Sequence, residues 1–176
     1  MHSIRKRFTA YALIGLFFGI LDWFYLDWLA HFQWGALSES LLVIPFILLM
    51  NYGIWFVPVI PVAIHETGRS GSIRSPMLAG SLLWSCAILS YYAYYAILLS
   101  TGKLPHLAHL NIFGEKHDTF WPEYWQMFKG IIIGQVFEWI FIAIAGGAII
   151  GALVYWLFRK KHPRLSKSGE LPQAGR

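Results

Sequence analysis

Four stretches of this chain are long and apolar enough to cross a lipid bilayer, and no other feature constrains the fold as strongly. A span needs about 20 mostly apolar residues, because the hydrocarbon core is about 30 Å thick and a helix rises about 1.5 Å per residue. Residues 8–30, 40–62, 77–100 and 130–158 meet that requirement. Within lipid each must be helical, since only a helix satisfies its backbone N–H and C=O groups inside one segment. The expectation is an all-α integral membrane protein: a four-transmembrane-helix bundle within residues 1–161, followed by a disordered basic tail, 162–176. Charged residues make up 13% of the chain, about half the roughly 25% of a soluble domain, which agrees with lipid as the solvent.

The first span follows Arg5, Lys6 and Arg7, a pattern shared with cleaved leaders. Its apolar run continues to Leu29, however, and Trp28 stands where a cleavage site requires a small residue. The span is read as retained. Orientation follows from the distribution of Lys and Arg. Eleven of them lie at the N-terminus, in the connection between spans two and three (Arg69, Arg74) and in the C-terminal tail; only Lys103, Lys116 and Lys129 fall on the other side. With an even number of spans, both termini are predicted to be cytoplasmic, in a multi-pass protein of the cell membrane. The tail's basic residues suit anionic lipid headgroups rather than nucleic acid.

The connections differ in character. Residues 31–39 form a short outer hairpin, whereas residues 63–76 are rich in Gly, Ser and Arg and read as a flexible inner loop. Its His65-Glu66 pair lacks the second His of a zinc protease helix. Pro58 and Pro61 are expected to loosen the inner end of the second span. In the outer connection, 101–129, the residues Phe120, Trp121, Tyr124, Trp125 and Phe128 fall along one helical face, with Asp118 or Thr119 able to cap the start. They predict an interfacial amphipathic helix, either an anchor or a lid over an outward cavity. His106, His109, Glu115, His117 and Asp118 precede it, but Pro105 interrupts the segment and the spacing matches no metal pattern. No metal site and no cofactor are predicted.

Carboxylates inside hydrocarbon are costly and need a partner or a water-filled cavity. Asp27 is near enough to the outer end of its span to reach headgroups, which leaves Asp22 and Glu138 to be explained. Asp22 lies eight residues below Ala30 and Glu138 eight below Gly130, so both are on the order of 12 Å deep. Small residues mark the faces that carry them: Ala12, Gly15 and Gly19 below Asp22, and Gly130 and Gly134 above Glu138. Such stripes let helices approach closely, so spans one and four are expected to pack together with both acids inward. Asn51, Ser90, Tyr91, Tyr92 and Gln135 fall at similar depth. Two acids brought together in low dielectric suit a proton-linked or cation site; the alternative is a polar knot that fixes the bundle. Further along span four, Ala143, Gly147 and Gly151 form another small-residue stripe, compatible with a homodimer or a partner membrane subunit.

Much chemistry is excluded. All seven His lie outside the spans, so no pair can hold a haem between helices. No Lys lies deep in a span for a retinal Schiff base, and Cys86 alone cannot run thiol exchange. There is no P-loop, nucleophile elbow or dinucleotide fingerprint. His and carboxylates at the outer surface can do acid-base work, but no nucleophile has a base beside it, which argues against an enzyme. Two readings follow. The first is a small transporter, or a transporter subunit, binding a cation or polar solute through Asp22, Glu138, Gln135, Asn51, Tyr91 and Tyr92. The second is a non-catalytic accessory or assembly protein of a larger membrane complex.

Overall fold

A computed structural model of the chain describes residues 2–31, 43–101 and 119–161. These are helical throughout apart from short turns, with no strand among them. The order is α1 (His2–His31), α2 (Val43–Gly53), α3 (Phe56–Ser70), α4 (Arg74–Ser100), α5 (Phe120–Met127), a π-helical turn (Phe128–Ile133) and α6 (Gly134–Lys161). Three helical stretches are long and apolar enough to cross a membrane: Ile4–Leu29, Arg74–Ser100 and Phe120–Lys160. α2 and α3 reach that length only as a pair, bent by 52° at their junction. The tail 162–176 and the candidate metal residues His106, His109, Glu115, His117 and Asp118 lie outside the described residues.

The bend has a local cause. Pro58 has no N–H to give the Ile54 carbonyl one turn back, and that carbonyl accepts instead from Val57 at 3.1 Å in a tighter turn. Trp55 likewise donates to Tyr52 at 3.2 Å. The helical path therefore breaks at Ile54 and Trp55 and resumes in a new direction at Phe56.

Helix α3 then runs on to Ser70, through residues that read as a flexible loop. Its polar side chains are absorbed by the helix itself: the Thr67 hydroxyl donates to Ala63 O and the Ser70 hydroxyl to Glu66 O, each at 2.8 Å. Gly71 ends the helix in the left-handed conformation, φ 63°, which costs glycine little. Only Gly71 to Ile73 separate α3 from α4. The turn is fastened from α6, where Arg159 Nη2 and the Tyr155 hydroxyl donate to Gly71 O at 2.6 and 3.1 Å.

α4 is the hub. α1 and α6 both pack along it, and α3 fits against α4 and α6. The expected pairing of spans one and four is thus corrected: the small-residue stripe of α1 is used against α4. A Cβ on Gly15 would strike the Leu83 carbonyl, and one on Gly19 the Ala87 carbonyl and the Ser90 hydroxyl. Gly147 meets Gly80, and Gly151 meets Pro76, in the equivalent seam between α6 and α4, where the Ser81 hydroxyl also donates to Ile144 O at 2.7 Å. The Ala143, Gly147 and Gly151 stripe is therefore occupied within the chain. A Cβ on Gly130 or Gly134 would meet nothing within 4 Å, so these two glycines form no seam.

Replacing Gly147 by valine should lower the thermal unfolding temperature of the detergent-solubilised protein, by an amount equivalent to about 1–3 kcal/mol of overpacking. Gly134→Val should leave it near wild type. Equal sensitivity at the two positions would contradict the seam.

α5 forms where the aromatic spacing predicted a helix, and continues through the π-helical turn into α6. Phe120 and Tyr124 are buried, while Trp121 and Trp125 are exposed. The Tyr124 hydroxyl donates to Ala96 O at 3.2 Å, holding α5 on the end of α4.

Candidate functional site

The close approach at Gly15 and Gly19 decides where Asp22 sits. It occupies the next turn of the same stripe, so it is pressed into the packing beside α4 and is 1% exposed. Neither of its carboxylate oxygens accepts a hydrogen bond among the described residues. A buried polar group left unpaired costs about 1–3 kcal/mol, and most buried polar atoms in proteins are satisfied. Asp22 departs from that rule.

It faces a cavity of about 270 Å³ between α1, the α2–α3 break, α4 and α6. Asn51, Tyr91, Tyr92 and Gln135 line the same space, so five of the six residues that sequence reasoning grouped are brought together. Gln135 Oε1 is also buried without a hydrogen-bond partner among the described residues. Asn51 is partly engaged, its Nδ2 donating to Ile47 O at 2.8 Å within α2. Ser90 is used in its own helix, donating to Ala87 O at 3.0 Å.

Glu138 is the exception. It does not line the cavity; its side chain is exposed, although it lies within electrostatic reach of Tyr92. Helical geometry explains the separation. Gln135 and Trp139 share the face turned to the cavity, and Glu138 lies about 100° round the helix from Trp139. Equal expected depth did not mean equal facing. α1 and α6 both border the cavity, but Asp22 lines it and Glu138 does not, so the two acids do not form the shared pair expected of them.

Aromatic rings complete the wall. Tyr52, Trp55 and Trp139 line the cavity along with Leu26 and Ile88. Tyr52 stacks on Trp139 with centroids 6.5 Å apart, and Trp55 stacks on Trp84 at 5.5 Å. Trp23, next to Asp22, stacks on Tyr95 at 5.5 Å and contacts Tyr91 at 5.3 Å. The Tyr25 hydroxyl donates to Met50 O at 2.8 Å, fixing α1 to the end of α2 that carries Asn51. Sequence reasoning missed these rings, yet a signal was present: Leu26, Trp55 and Trp139 each lie four residues beyond Asp22, Asn51 and Gln135, one turn along in helical register.

A second polar cluster lies at the other end of α1. Glu66 is fully buried and accepts from Arg7 Nη1 at 2.8 Å, from the Tyr11 hydroxyl at 2.8 Å and from the Ser75 hydroxyl at 2.5 Å. The Tyr11 oxygen is also 2.6 Å from His65 Nδ1. A hydroxyl has one proton to give; with Tyr11 donating to the carboxylate, the hydrogen of the second bond must come from His65 Nδ1. The cluster ties α1, α3 and α4 together, and both oxygens of its carboxylate accept hydrogen bonds. His65-Glu66 is therefore neither a metal motif nor a loop but a packing element, and among the described residues no group of three His, Cys, Asp or Glu could hold a metal ion.

The chain matches no protein-family model, no curated protein and no solved structure.

Proposed function

We propose that this protein is a small polytopic membrane protein that binds a cation or polar solute within the bilayer at Asp22, as a transporter or the binding subunit of one. The observation that carries the reading is the buried Asp22 carboxylate, unpartnered among the described residues and facing a cavity. An ionisable group within a span is retained for a role, and this one is not spent on holding helices together. The broken α2–α3 helix beside the cavity supports the same reading, since discontinuous helices near the membrane midplane commonly form substrate sites. In this reading α2 and α3 make one bent span, giving a four-span bundle. The Lys and Arg distribution puts both termini in the cytoplasm, and α5 lies at the outer interface with Trp121 and Trp125 toward headgroups.

Glu138 favours a second reading, that of a subunit in a larger complex. It is exposed near the midpoint of the 41-residue helical stretch from Phe120 to Lys160, flanked by exposed Phe137 and Phe141. A carboxylate facing lipid there is costly, and a partner helix covering that face would relieve it.

Solid-supported membrane electrophysiology on proteoliposomes separates the two. Concentration jumps of Na⁺, K⁺, Mg²⁺ and organic ammonium salts should evoke charge movement with at least one of them, lost in Asp22→Asn. Currents unchanged by Asp22→Asn would overturn the binding role. No current, together with a stoichiometric protein partner in native mass spectrometry of the gently extracted protein, would establish the subunit reading instead.

A further inference from the structure

The walls of the Asp22 cavity restrict what can occupy it. Among the described residues the cavity is bordered by one carboxylate, Asp22; Glu138 does not line it, and five of the ten lining residues are Tyr or Trp. Divalent metals are poorly served, because Ca²⁺ takes about 6–8 oxygen ligands and Mg²⁺ demands near-octahedral oxygen geometry. A single buried negative charge calls for a single positive one. The surrounding rings add to the attraction, since aromatic faces bind ammonium and other organic cations through their quadrupoles. A cavity of about 270 Å³ approaches the lower end of the roughly 300–1,000 Å³ typical of small-molecule sites, so the occupant is compact but larger than a bare ion.

The unpartnered atoms supply a further constraint. Asp22 Oδ1, Asp22 Oδ2 and Gln135 Oε1 are buried without hydrogen bonds among the described residues, and all three are acceptors. Their complement is a donor with several hydrogens on one centre. A protonated primary amine has three N–H groups and a charge; a quaternary ammonium has the charge alone.

Resting on the Asp22 binding role proposed above, we infer that the cavity selects a compact organic monocation carrying a protonated primary amine on an apolar body. The ammonium group sits between Asp22 and Gln135, and the body lies against Trp55, Trp139 and Tyr52. Charge, donor capacity and apolar surface are all required, and each can be removed from the ligand separately.

Isothermal titration calorimetry of the detergent-solubilised full-length protein tests this with benzylammonium, benzyltrimethylammonium, benzyl alcohol, K⁺ and Mg²⁺. Benzylammonium should bind best. Loss of the donor hydrogens in benzyltrimethylammonium should weaken binding about tenfold or more, the size of one charge-assisted hydrogen bond, and benzyl alcohol should not bind detectably. Gln135→Leu should weaken benzylammonium about tenfold, and Asp22→Asn should abolish its binding. The ligand comparison uses the wild-type protein and so does not depend on any variant folding. Equal affinity for benzylammonium and benzyltrimethylammonium would overturn the primary-amine assignment. Asp22-dependent binding of K⁺ or Mg²⁺ without benzylammonium would overturn the inference while sustaining the Asp22 site. No Asp22-dependent binding of any of the five would overturn both.

Discussion

Replacing Glu66 by alanine should destabilise the protein by about 3–5 kcal/mol, the cost of breaking a buried ion pair by removing one partner. The carboxylate is fully buried and has three donors, Arg7, Tyr11 and Ser75, from two other helices. Its removal strands the Arg7 guanidinium in packing where it is 19% exposed, takes the acceptor from the Ser75 hydroxyl and leaves Tyr11 only His65 as a partner, and opens a void beside the fully buried Val59 and Ala63 core. Glu66→Gln should cost less, because an amide oxygen still accepts from Tyr11 and Ser75 while the charge opposite Arg7 is lost. Tyr11→Phe, which removes one hydroxyl from the cluster, should cost about 1 kcal/mol. Thermal unfolding in detergent, followed by circular dichroism, ranks the three. If Glu66→Ala unfolds within about 1 kcal/mol of wild type, the cluster does not hold α1, α3 and α4 together.

The sequence made the long apolar helices legible, because they depend on a count along the chain, apolar length against bilayer thickness; a second count, residue number against helical rise, grouped polar residues that share one cavity. Asp22, Asn51, Tyr91, Tyr92 and Gln135 were found in this way. Facing was harder to read. A stripe of small residues signals that another backbone comes close without saying which one, and both the α1 and α6 stripes were taken up by α4, where Leu83, Ala87, Gly80 and Pro76 present backbone carbonyls to them. Glu138 was assigned inward through Gly130 and Gly134, where an added Cβ would meet nothing within 4 Å. The end of α3 misled for a different reason. Gly68, Ser70 and Arg69 resemble a loop by composition, but the buried Glu66 network and the hydroxyl-to-carbonyl bonds of Thr67 and Ser70 favour helix there, and those interactions depend on Arg7, Tyr11 and Ser75 being nearby in space. Tertiary contacts overrode local propensity.

Asp22→Leu should move stability in the opposite direction from Glu66→Ala, raising it by about 1–3 kcal/mol while abolishing binding of benzylammonium. The two carboxylates are equally buried, at 1% and 0% exposure, and differ only in what surrounds them. Glu66 accepts three hydrogen bonds; Asp22 accepts none among the described residues. An unsatisfied buried polar group costs about 1–3 kcal/mol, and replacing such a group by an apolar side chain of similar volume recovers that cost. Leucine's branched end can extend into the adjoining cavity of about 270 Å³, away from the tight seam at Gly19. The larger unfolding temperature should come with a silent calorimetric titration, the trade between stability and activity expected where a site keeps a strained group for its ligand. A polar knot that fixes the helices gives the reverse: Asp22→Leu would unfold earlier, as Glu66→Ala does. The sign of one stability change therefore decides whether the buried carboxylate of α1 supports the packing or waits for a ligand.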